Sequence, residues 1–88
     1  MGVMKVYVVE RFLVGWSADE VHALMDSLDA DGPQFAQHGV RHIETIHIPG
    51  DETCLSVFAG PDLEAVRAAN DDCDLPVGRV LEAVTRGR

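Results

Sequence analysis

At 88 residues the chain fits one domain, 1–88, with room for a single core but little surplus stability, so a second copy of itself is the expected partner. Seven Lys and Arg against 15 Asp and Glu give a formal net charge of -8, which disfavours contact with polyphosphate and argues against nucleic-acid binding. With 47% hydrophobic and 25% charged residues, no run that could span a bilayer and no basic-then-apolar leader, a cytoplasmic domain without a membrane role is expected.

In chain order, Met4 to Leu13 reads as the first strand, with Met4, Val6 and Val8 on one side and Lys5, Tyr7, Val9 and Arg11 on the other. Apolar residues on both sides place it in the interior of a sheet. Gly15 breaks the run. Ser17 and Glu20 then form a capping box, with Trp16 and Val21 as hydrophobic staple, and Val21, Leu24, Met25 and Leu28 continue as one apolar helical stripe. Gly32-Pro33 interrupts the pattern, so Pro33 to His38 is expected as a short second helix with Phe35 inward, stopped by Gly39.

Val40 to Ala59 is the stretch around which the rest is organised. Two β-branched, apolar-rich runs flank Pro49-Gly50-Asp51, which predicts a β-hairpin. Strict alternation places His42, Glu44, Ile46 and Ile48 on one face and Arg41, Ile43, Thr45 and His47 on the other. Asp62 then caps a helix running to about Asp71, with Leu63, Val66 and Asn70 inward, and Leu75-Pro76 leads into a last strand, Val77 to Val84. The order strand, helix, strand, strand, helix, strand predicts an α+β domain of the ferredoxin-like split β-α-β kind: a four-stranded antiparallel sheet with helices on one face. The other face is left uncovered, and a homodimer through it is expected.

Four short motifs carry a family resemblance: Tyr7-Val8-Val9-Glu10-Arg11, Gly39-Val40, Gly60-Pro61-Asp62-Leu63-Glu64-Ala65-Val66-Arg67 and Leu75-Pro76-Val77-Gly78-Arg79-Val80. With them the chain resembles a small, mostly bacterial family of α+β domains of uncharacterised role that includes a nickel-binding actinobacterial protein with a ferredoxin-like fold. The resemblance implies a metal-binding, non-enzymatic protein. Glu44 and Ser56 stand where that family carries a histidine and a cysteine, so the implied metal site needs replacement ligands.

His42, Glu44 and Cys54 supply imidazole, carboxylate and thiolate suited to nickel or zinc, and His47 becomes the better partner of Cys54 if the turn is one residue shorter. The competing reading is a polar, partly solvated strand with ordinary histidines. Tyr7, Glu10 and Phe58 are expected to line a small-ligand pocket on the open sheet face, against the plainer reading of Glu10 as an ion-pair partner of Arg79 or Arg41. Cys54 and Cys73 match no zinc or disulfide pattern. A cofactor-free enzyme of the dimeric α+β barrel type, or an interaction module without ligand, are the alternatives to a metal- or ligand-binding protein.

Overall fold

A computed structural model describes residues 4–86. The elements are β1 (Lys5–Phe12), α1 (Ala18–Ala30), α2 (Gly32–Gln37), β2 (Arg41–Ile48), β3 (Thr53–Gly60), α3 (Leu63–Asp72) and β4 (Arg79–Ala83), with a single 3-10 turn over Pro49–Asp51. They form a small α+β domain whose four strands run antiparallel in the order β2-β3-β1-β4.

Local chemistry explains where the elements begin and end. The Ser17 hydroxyl accepts from the Glu20 amide while the Glu20 carboxylate accepts from the Ser17 amide, closing the capping box at the start of α1. Pro33 opens α2 at a position where a missing amide costs nothing, and Gly39, at φ +70°, turns the chain out of it. Asp62 caps α3 by accepting from the Ala65 amide. Asp74 reverses the chain after α3 in the left-handed region, at φ +56°.

β1 lies between β3 and β4, the central position that its two apolar sides require. Tyr7 and Val9 from β1, Cys54 and Phe58 from β3 and Val80 from β4 share the face covered by the helices, where they meet Leu24, Leu28, Phe35, Val66 and Ala69. Phe35 packs edge-on against Phe58, with ring centroids 5.1 Å apart, so the short α2 is anchored by one aromatic pair. Val6, Val8 and Val57 lie on the opposite face, which no helix of the described residues covers; Ile46 and Leu81 there are 46% and 41% exposed. No helix among the described residues is long and apolar enough to cross a membrane.

The structure departs from strict alternation in β2. His42 pairs with Phe58 but Glu44 pairs with Val57, so Ile43 is an extra residue in a β-bulge. Past the bulge every side chain changes face. His42, Thr45 and His47 therefore share the helix-covered side, while Glu44, Ile46 and Ile48 point to the open side.

Gly78 lies under the Phe12 ring and donates its amide to the Glu10 carbonyl, 2.7 Å away. A Cβ there would sit 2.8 Å from that same carbonyl oxygen, part of the central strand's backbone. Gly78→Ala is expected to lower stability by about 2 kcal/mol through overpacking, read as a lower urea midpoint with an unchanged slope.

Candidate functional site

Arg11 follows Tyr7 and Val9 in the same β1 phase, and its side chain therefore enters the core, where it has 0% exposure. The described residues place no carboxylate in contact with it. Its Nε–H donates to Ser56 Oγ at 3.1 Å, Nη1 to the Pro76 carbonyl at 2.8 Å and Nη2 to Asn70 Oδ1 at 2.6 Å. Asn70 is held in turn by its own amide, which donates to the Val66 carbonyl one helical turn back. Burial draws the guanidinium down to about 10, against a smaller opposing pull from the Cys54 thiol, and it stays cationic at neutral pH.

From Ser56 the chain of polar contacts continues outward. Ser56 Oγ and Thr45 Oγ1 are 2.7 Å apart, and Thr45 Oγ1 is 2.7 Å from His42 Nε2. Arginine can only donate, so Ser56 accepts at that end and has its own proton free to give to Thr45. Thr45 then gives its proton to His42. In this sense every hydroxyl proton has an acceptor and Nε2 is the unprotonated nitrogen of a neutral ring. Run the other way, the chain leaves the Ser56 proton without an acceptor at a position with 0% exposure, which costs roughly 1–3 kcal/mol.

His42 is half-buried, its ring tilted against Phe58 at 5.2 Å. Burial lowers its pKa below the ordinary 6.5, outweighing the Glu44 backbone and the Asp29 carboxylate, which favour the charged form; Arg11 adds to the lowering. The ring forms part of the wall of a cleft of about 650 Å³ between α1, α2 and the bulged half of β2. Met25, Leu28, Val40 and Ile43 give the cleft apolar surface, and Asp29, Arg41, Glu44 and Thr45 also line it.

The residues expected at a metal centre are not gathered. The bulge sends Glu44 to the opposite face from His42, and His42 Nε2 is occupied by Thr45. His47 pairs in register with Cys54, as in the shorter-turn alternative, but its side chain is exposed whereas Cys54 has 0% exposure in the core, its thiol pushed up by burial. No group of three or more His, Cys, Asp or Glu side chains among the described residues is placed to hold a metal ion. Tyr7 and Phe58 are likewise core residues under the helices, whereas Glu10 lies on the open face in an ion pair with Arg79. The expected Tyr7–Glu10–Phe58 pocket is therefore split by the sheet itself.

Sequence reasoning passed over Arg11, Thr45, Ser56 and Asn70 as a set. The signal was there in the phase: Arg11, Ser56 and Asn70 occupy positions where their own elements otherwise put Tyr7 and Val9, Cys54 and Phe58, and Val66.

No protein-family model matches the chain, and no curated protein is significantly similar to it in sequence. The fold is similar to that of the crystal structure of SCO4226 from Streptomyces coelicolor A3(2), with a TM-score of 0.73 and 17% identity over 93% of this chain and 99% of that one.

Arg11→Met removes the donor to two buried acceptors, Ser56 and Asn70, and to the half-buried Pro76 carbonyl at once, and is expected to lower stability by about 3 kcal/mol, measured by urea unfolding. A lowered His42 pKa means that the unfolded chain binds a proton more readily than the folded one. This contribution to stability is present above pH 6.5 and is lost as pH falls through 6.5 toward the folded value. Unfolding curves across that window should show a smaller pH slope for His42→Gln than for the unmodified chain.

Proposed function

We propose that the protein is a non-enzymatic small-ligand-binding domain with the ferredoxin-like split β-α-β arrangement, that its ligand occupies the cleft beside His42, and that two copies associate through the uncovered sheet face. The cleft carries this reading: apolar residues of α1 and of the stretch from Val40 to Ile43, with Asp29 and Arg41 beside them, meet one histidine whose orientation is held from the core through Thr45, Ser56 and Arg11. A concave, mainly apolar space with a few fixed polar groups is the usual form of a small-molecule site. Because the metal-donor set is dispersed, a small organic molecule is favoured over nickel or zinc. The strand order β2-β3-β1-β4 with crossovers through α1–α2 and α3 supports the fold assignment. Ile46 and Leu81, exposed on a face with Val6, Val8 and Val57, support association.

Gly32 supplies a direct test, because it borders the cleft and a Cβ built on it meets nothing within 4 Å. Gly32→Leu is expected to fold with stability within about 1 kcal/mol of the unmodified chain while filling the cleft. In a small-molecule fragment screen read by amide chemical shifts, binders should perturb Met25–Asp29 and Val40–Thr45 and lose their effect in Gly32→Leu. Perturbations confined to the open sheet face, or unchanged in the variant, would remove the cleft from consideration. For association, light scattering should give twice the 9.6 kDa chain mass, and Ile46→Asp with Leu81→Asp should return it to one.

A further inference from the structure

We propose that the hydrogen-bond chain from Arg11 to His42 is a proton-operated latch on the cleft, closed while His42 is neutral and released when the ring takes up a proton. The latch needs no ligand, because the buried Arg11 sets the direction in which the chain runs. Arg11 is a fixed donor at the buried end, so both hydroxyls point their protons outward and Thr45 donates to His42 Nε2. A protonated ring presents Nε2–H to Thr45 instead. Thr45 then loses the acceptor of its own proton and has to turn that proton either back toward Ser56, which leaves the buried Ser56 proton with no acceptor, or out into the cleft that Thr45 lines. Two cations would also sit at the two ends of one chain of two hydroxyls.

The proton has a route in and the ring has somewhere to go. His42 is half-buried and borders the cleft, so solvent reaches it from the α1 side. The charged groups that act on it are Asp29 from α1 and Glu44 from its own strand, which favour the charged ring, and Arg11 from β1, which opposes it; Arg41 lines the same cleft. Once charged, the ring leaves Thr45 and turns toward the Asp29 side. The strand yields at that point because the ladder to β3 skips Ile43 next to His42. Acidification thus alters the wall of the cleft through one side chain and leaves the core pairing of β1 with β3 in place.

Nitrogen-15 NMR of the intact chain across a pH titration tests the latch. In the unmodified protein the neutral His42 ring should be mainly the Nδ1–H tautomer, the form in which every hydroxyl proton of the chain has an acceptor. The Thr45 and Ser56 amide resonances should titrate with the midpoint of the His42 ring. Thr45→Val removes the donated proton and should raise that midpoint while shifting the neutral ring to the Nε2–H form. If burial alone held the midpoint down, the added apolar surface of valine would lower it further, and that result overturns the proposal. So does an Nε2–H ring in the unmodified protein, or Thr45 and Ser56 resonances that do not follow His42; both are read without any variant.

Discussion

Arg11 carries a full positive charge into a place with no solvent, and three neutral acceptors from three distant parts of the chain meet it there. A guanidinium stripped of water is costly to bury, and here Ser56, Asn70 and the Pro76 carbonyl stand in for the hydration it gives up. Its planar fork of donors is what allows one side chain to satisfy β3, α3 and the segment leading to β4 together. Lysine, with a compact ammonium, has no equivalent reach. The arrangement around α3 depends on it: Asn70 interrupts an apolar helical stripe to serve as acceptor, and Pro76 positions its carbonyl just before the chain turns back into the sheet.

The bulge in β2 is the second determinant, because it decides which side chains share a face. One unpaired residue, Ile43, keeps His42 over Phe58 and brings Thr45 rather than Glu44 onto the covered side. The hydrogen-bond chain from the core can then continue through Thr45 to the edge of the sheet. Without the bulge His42 and Thr45 would lie on opposite faces. The same irregularity disperses the carboxylate and imidazole that a metal would need, so the local backbone selects between two chemistries available to one set of residues.

Much of the fold was legible in the sequence, and for identifiable reasons. The Ser17–Glu20 capping box, the Asp62 cap, the Gly32-Pro33 break and the helical spacing of Val21, Leu24 and Leu28 are short-range signals that depend on neighbours a few residues apart. The site was less legible because it is built from pairings between strands. A bulge depends on the fit of β2 against β3 and leaves no dependable mark in alternation, so Glu44 was expected beside His42. Tyr7 and Phe58 were placed on the open face because the sheet has two apolar sides, and only the helices decide which is covered. Arg11 was visible as a polar residue in an apolar phase, and its neighbours Ser56 and Asn70 show the same departure.

The contacts of Arg11 join it to residues 45, 59 and 65 positions further along the chain. Each of these is a long-range closure, and none can form during local helix or hairpin growth. A guanidinium with only one or two of its acceptors in place would be dehydrated without compensation, so the contacts gain stability chiefly as a group. The pairing of β1 with β3, the docking of α3 and the return of the last strand are therefore energetically coupled through one side chain. Losing any one of the three closures leaves the buried guanidinium short of an acceptor, so damage to one part of the chain is felt at the other two.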